Sequence, residues 1–144
     1  MDNVLIRRLS IEDVEDISRI QESITKTPVS DDFKRDIKGH AQKVEEASFV
    51  AELQGSVVGY MISYILTGGF GMDKSAWIAL LGVNPKFMGQ GIGKRLAEEI
   101  VKFYGEKGIN NIYTSVRWDS TDLLSFFKTL GFDRSNFINL RKIL

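Results

Sequence analysis

Apolar residues along this chain recur at changing spacings, and each change marks an element. Val4 to Leu9 is a short apolar-rich run that predicts a first strand. Ser10 then reads as an N-cap, with Asp13 at the third helical position. Val14, Ile17, Ile20 and Ile24 follow at spacings of three, three and four, which sets them on one face of a helix. Thr25 to Asp32, containing Pro28, ends that helix, and Phe33 to Glu46 predicts a second, more polar one interrupted near Gly39. Ser48 to Leu53 and Val57 to Thr67 read as strands joined by a hairpin turn at Gln54-Gly55-Ser56. Gly68, Gly69 and Gly71 mark the next loop, and Ala76 to Val83 predicts a further strand.

After this strand the chain reads Val83-Asn84-Pro85-Lys86-Phe87-Met88-Gly89-Gln90-Gly91-Ile92-Gly93-Lys94, and Lys94 to Lys107 has helical periodicity. Ile92, Leu96, Ile100 and Phe103 share a face of that helix, which Gly108 stops. Asn111 to Val116 predicts a strand, and Asp119 to Leu130 a helix that aligns Leu123, Phe127 and Leu130 before Gly131. Asn136 to Lys142 predicts a last strand. The order β-α-α-β-β-β-α-β-α-β predicts one α/β domain over residues 1–144, with a single mixed, mainly antiparallel sheet. Its two late strand-helix-strand crossovers give those strands parallel or splayed partners.

A strand that runs through a glycine-rich bend into a helix aims unpaired backbone N–H groups at one point. That point lies at the positive end of a helix dipole, where anions bind. Without side chains at Gly89, Gly91 and Gly93, a phosphate can reach the backbone itself, so the loop is read as the seat of a nucleotide-like pyrophosphate. A P-loop would need glycine where Met88 stands and a hydroxyl where Arg95 stands, and a dinucleotide fingerprint would need its third glycine at Lys94. Neither pattern fits.

Composition narrows the alternatives. The 144 residues suffice for a substantial core, and 19 basic against 19 acidic residues give no overall pull toward nucleic acid or an anionic membrane. Lys86, Lys94 and Arg95 nevertheless cluster at the proposed phosphate site. The chain has no cysteine, which excludes disulfides, thiolate metal sites and an acyl-cysteine intermediate, and suits a cytoplasmic setting. With His40 as the single histidine, a zinc site resting on several histidines is excluded, and no metal is expected. Met1-Asp2-Asn3 lacks the pattern of a signal peptide, and no apolar run approaches the ~20 residues that span a bilayer.

The loop from Met88 through Gly91 to Gly93, with Val83 and Pro85 before it, resembles the Gln/Arg-x-x-Gly-x-Gly/Ala signature of the GNAT-superfamily N-acetyltransferases, with Met88 in place of Gln/Arg. The element order resembles the GNAT fold over essentially the whole chain. That resemblance implies splayed fourth and fifth strands, about four flanking helices, and acetyl-CoA as cosubstrate in the opening. It implies main-chain contacts to the cosubstrate from Leu81, Gly82 and Val83, and a cradle of Met88, Gly89, Gln90, Gly91, Ile92, Gly93 and Lys94. Asp119 to Phe132 is similar to the family's Asn-x-x-Ala-x-x-Leu-Tyr-x-x-x-Gly-Phe. Ser120 takes the Asn place there and Phe127 the Tyr place, so both are expected at the cofactor. Only 13 residues follow Gly131, so the penultimate strand is expected to be shortened or missing and the acceptor groove open.

The activity implied is transfer of acetyl from acetyl-CoA directly to a primary amine through a ternary complex. The acceptor is a small molecule or a protein, and helices one and two shape the choice. Phe127 cannot donate the proton that the family's Tyr supplies to the leaving sulfur, and Ser115 stands where some relatives carry a Glu or His base. Three outcomes stay open. Water removes the amine proton; or Tyr113, Tyr64, Glu52 or Asp119 serves; or the chain binds CoA without turnover, as a sensor or regulatory domain. Trp118 is a candidate wall of the acceptor site. Phe137, Ile138 and Leu140 mark an exposed edge, from which a homodimer is expected.

Overall fold

The computed structural model describes residues 3–71 and 73–144, with Phe70 described for its backbone alone. The reading made at Met1 and Asp2 lies outside the described residues. The chain divides into Met1–Thr114 and Ser115–Leu144, and each unit is described by itself.

The first unit holds a five-stranded sheet in the order β1 (Val4–Arg8), β2 (Phe49–Leu53), β3 (Ser56–Thr67), β4 (Lys74–Val83) and β5 (Ile112–Thr114). The first four strands are antiparallel and β5 runs parallel to β4. Helices α1 (Val14–Thr25), α2 (Asp31–Ala41) and α3 (Ile92–Glu106) belong to this unit, and α4 (Thr121–Thr129) to the second.

Local chemistry accounts for most boundaries. Ser10 caps a short 3-10 turn, Ile11–Asp13, whose Asp13 carboxylate accepts the Ser10 N–H in a capping box; α1 continues from it. Gln54 and Gly55 form a two-residue hairpin loop, both with positive φ (51° and 83°), the geometry that matches strand twist. The second helix starts at Asp31 under a Ser30 cap and runs unbroken through Gly39. It stops at Ala41, five residues short of the expected Glu46. Arg8 gathers the carbonyls of Lys43, Val44 and Glu46 into a separate loop, which takes those residues out of the helix.

Two register shifts decide which residues face which layer. One lies between Ala51 and Glu52, opposite Val58, and the other between Ile62 and Ser63, opposite Ala79. Tyr60 and Ile62 thereby join Val57 on the face covered by α1 and α2, in a cluster with Val14, Ile17, Ile20 and Ile37. Burial of each such aliphatic side chain contributes about 1.5–3 kcal/mol. Gly59 and Ser63 face the other way, toward Ile92, Leu96 and Tyr104 of α3.

In the second unit α4 ends in a Schellman motif. Phe132 N–H donates to Phe127 C=O at 3.0 Å, Gly131 sits at φ 91°, and the rings of Phe127 and Phe132 lie 5.1 Å apart. The expected last strand, Asn136–Lys142, is absent: no ladder forms there among the described residues. An alternating pattern favours extended backbone, but only a hydrogen-bonded neighbour makes it a strand. Phe137 N–H instead donates to the nearby Ser135 hydroxyl. The second crossover anticipated for the sheet is lost with that strand.

Candidate functional site

The outer edge of β4 is the centre of the site. Asn84 N–H donates to Val58 C=O at 2.8 Å, continuing the β3–β4 ladder beyond the Gly59–Val83 and Tyr60–Gly82 pairs. In an antiparallel ladder, residues alternate between bonding to the neighbour and pointing away from it. Residues 84, 82 and 80 therefore bond toward β3, while Leu81 and Val83 direct their N–H and C=O groups to the opposite side. On that side β5 pairs with only Ala76, Trp77 and Ile78. The Thr114 hydroxyl closes this short ladder by donating to Ile78 C=O. The expected separation of β4 from β5 is thus present, starting at the Ala79 bulge. Unpaired amides along a strand edge favour a ligand that bonds them.

This edge leads directly into the glycine loop. Asn84 accepts Lys86 N–H at 3.0 Å and starts a single 3-10 turn, Pro85–Phe87. Gly89 (φ 78°) and Gly91 (φ 82°) take left-handed conformations, and Gly91 is the N-cap of α3. A Cβ on either would meet nothing within 4 Å. These glycines are required by backbone angle, and the space before them is open. The first ladder bond of α3 runs from Arg95 N–H to Gly91 C=O, so the N–H groups of Ile92, Gly93 and Lys94 precede it. Met88, Gly89, Gln90 and Gly91 are exposed, whereas Ile92 is buried and anchors the helix start. Exposed Lys86, Lys94 and Arg95 surround the loop. Backbone donors, open space and positive charge coincide at this loop.

In the first unit the candidate catalytic side chains have other partners. Tyr113 of β5 stacks on Trp77 of β4, with centroids 4.8 Å apart, and Tyr64 pairs with Trp77 from β3. Glu52 accepts from Arg7 Nε at 2.9 Å in the β1–β2 pair, two strands away from β4. Within the second unit, Asp119 is held bidentately by Arg117, which keeps its carboxyl below the usual range, and Ser115 Oγ accepts from Asn139. Ser120 precedes α4 without a side-chain cap bond. Phe127 is buried between the rings of Phe126 and Phe132. Trp118 and Ile138 are exposed.

Tyr60, Gly59 and Gln21 escaped the sequence reading. A Cβ on Gly82 would lie 2.7 Å from Tyr60 Cε1 and 2.9 Å from its hydroxyl oxygen, so the Tyr60 ring fills the space before Gly82. The Tyr60 hydroxyl donates to Gln21 Oε1 of α1. Burial pushes this phenol up to about 12, which keeps it neutral. Tyr60 follows a glycine within an apolar strand, and that pattern carries no sign of such a role.

An open mixed sheet with a bulged fourth strand that runs through a glycine loop into a helix is the architecture of an acetyltransferase family. The chain belongs to the Acetyltransferase (GNAT) family, whose pattern matches residues 12–132. It is 28% identical over 93 residues to a mycothiol acetyltransferase of Amycolatopsis mediterranei (strain U-32), covering 62% of this chain and 31% of that protein. The chain thus matches about a third of that relative's length. Its fold is shared with an aminoglycoside acetyltransferase, meta-AAC0020, from an uncultured soil metagenomic sample, solved with trehalose (TM-score 0.81, 23% identity, 99% of this chain and 97% of that one). It is also shared with the aminoglycoside N-acetyltransferase AAC(6')-Iy in complex with CoA (TM-score 0.82, 18% identity, 97% and 94%).

Proposed function

We propose that this chain is an acetyl-CoA-dependent N-acetyltransferase that moves acetyl directly to a primary amine in a ternary complex. The observation that carries the reading is the unpaired edge of β4 running without interruption into the glycine loop at the start of α3. The main chain of Gly89 to Lys94 would hold the diphosphate, and Leu81 and Val83 the amide-rich pantetheine. Acetyl-CoA supplies an activated acyl group. An N–H on this edge polarises the thioester carbonyl, a donor role whose loss typically costs ~3 kcal/mol.

Proton handling falls to solvent. Glu52 is engaged by Arg7 and Asp119 by Arg117, so neither is poised as a base. Positioning of the amine against the thioester then supplies most of the rate, and effective molarity alone contributes ~7 kcal/mol or more. The relatives' names support a small-molecule amine as the first acceptor class to test: one is a mycothiol acetyltransferase and others are aminoglycoside acetyltransferases.

Calorimetry with acetyl-CoA, followed by a thiol-release assay over a panel of amines, tests the proposal. Binding with release above background for at least one amine is expected. Binding without release across aminoglycosides, polyamines and peptide N-termini would leave a CoA-binding domain without transfer. Absence of binding would overturn the reading.

A further inference from the structure

We infer that Tyr60 is a positioning residue for acetyl transfer: its ring, pinned by Gln21, braces the β4 main chain at Gly82 and so aims the outward amides of Leu81 and Val83. The inference rests on the acetyltransferase reading above. Tyr60 is fully buried, so it touches neither substrate and acts only through its neighbours.

The argument begins with crowding. Gly82 is paired with Tyr60 across the β3–β4 ladder, and the Tyr60 ring lies over it closely enough to exclude any side chain at that position. Such contact is normally avoided by placing a bulky residue elsewhere. Here the glycine lets the ring lie against the strand. Gly82 stands between Leu81 and Val83, the two residues whose N–H and C=O groups leave the ladder on the β5 side. Among the described residues the β4–β5 ladder ends at Ile78 and Thr114, before it reaches them. The edge is therefore supported from β3 and from below, and the support below Gly82 is the Tyr60 ring.

The ring's own position is fixed by Gln21, which lies 39 residues away on α1 and accepts the phenolic proton in a hydrogen bond. A neutral phenol bonded to a half-buried amide is a directional tether. Leu80 packs against the same cluster. The bracket thus joins α1 to the strand edge that the thioester would occupy, while the diphosphate loop is anchored separately through Ile92 and α3. Loss of the brace should misaim the carbonyl donors and leave diphosphate binding intact.

The test uses the full chain with acetyl-CoA carrying a 13C-labelled thioester carbonyl. The carbonyl stretch of the bound cosubstrate is read by isotope-edited infrared spectroscopy, and CoA affinity by calorimetry. Tyr60→Phe keeps the ring but loses the Gln21 tether, and should lose about a quarter of the wild-type downshift. Tyr60→Leu removes the ring and should lose at least about half of the shift, with CoA affinity changed less than about threefold. Gly82→Ala forces a methyl group against the ring and should lose the shift from the opposite side, which serves where Tyr60→Leu does not fold. A wild-type shift retained in Tyr60→Leu or Gly82→Ala would overturn the inference. So would a loss of CoA affinity in step with the shift. Wild-type protein that fails to bind CoA would instead sink the acetyltransferase reading, and this inference with it.

Discussion

A Cβ on Gly59 would stand 3.0 Å from Cγ2 of Ile92 and 3.5 Å from Cδ1 of Leu96. The first turn of α3, and with it the glycine loop, is seated on the sheet by the lack of a side chain at this position. Gly59 pairs with Val83, so one glycine sets the height of the loop against the end of the β4 edge.

Gly59→Ala should therefore lift the start of α3. Overpacking of this kind costs about 1–3 kcal/mol, and CoA affinity should fall by roughly tenfold, as expected when a preformed anion site is displaced. The double variant Gly59→Ala, Ile92→Ala removes the opposing Cγ2 and should recover at least part of the affinity in calorimetry. Equal affinity for Gly59→Ala and wild type would show that the contact relaxes without moving the loop.

Gly91→Glu tests the loop itself. The residue sits at φ 82°, where a side chain costs about 1–2 kcal/mol, and a carboxylate there repels phosphate. CoA affinity should fall by about two orders of magnitude or more, while the far-ultraviolet circular dichroism of the fold is retained. Gly91→Ala carries the backbone cost without the charge and should bind with intermediate affinity.

His40 carries a pH dependence. Its imidazole lies on α2 with Nδ1 3.9 Å from Glu46 Oε1, and neither atom has a hydrogen-bond partner. Burial lowers the His40 pKa from 6.5, outweighing the raising effects of Glu46 and Asp36, and Lys43 lowers it further. The unfolded chain then takes up this proton at a higher pH than the folded one. Stability is fully present above about pH 6.5 and is lost as pH falls toward the depressed folded value. His40→Gln should flatten this part of the urea-midpoint profile between about pH 5 and 7. An unchanged difference between the two proteins across that window would refute the assignment.

Asp13 holds together the start of the α/β unit. It accepts Ser10 N–H at 2.8 Å and both Nη groups of Arg7 at 2.9 and 2.8 Å, and Arg7 also reaches Glu52. Asp13→Ala breaks a capping box and a largely buried ion pair together. The loss should be about 2–3 kcal/mol, below the full range for a buried pair because Arg7 is about a third exposed and keeps Glu52. Chemical denaturation measures it. CoA affinity should stay within about twofold, since the network lies at β1 and β2.

Ser10 as a cap, the hairpin turn at Gln54-Gly55-Ser56, the glycine loop and the stop of the last helix at Gly131 were legible in the sequence. Each depends on residues within one turn of each other, and backbone angle or a short side-chain bond decides them. Periodicity likewise determined α1, β3, β4 and α3 to within a few residues at their ends. Tertiary structure alone decided the rest. Whether 136–142 forms a strand depends on a neighbour to bond, which no local pattern supplies. The positions of Tyr60 over Gly82 and Ile92 over Gly59 depend on ladder register and on the two bulges, because a one-residue shift turns every side chain to the other face. The chain thus writes its glycine loop locally, while the seat of that loop on Gly59 and the packing of Tyr60 on Gly82 arise only when strands and helices distant in sequence meet.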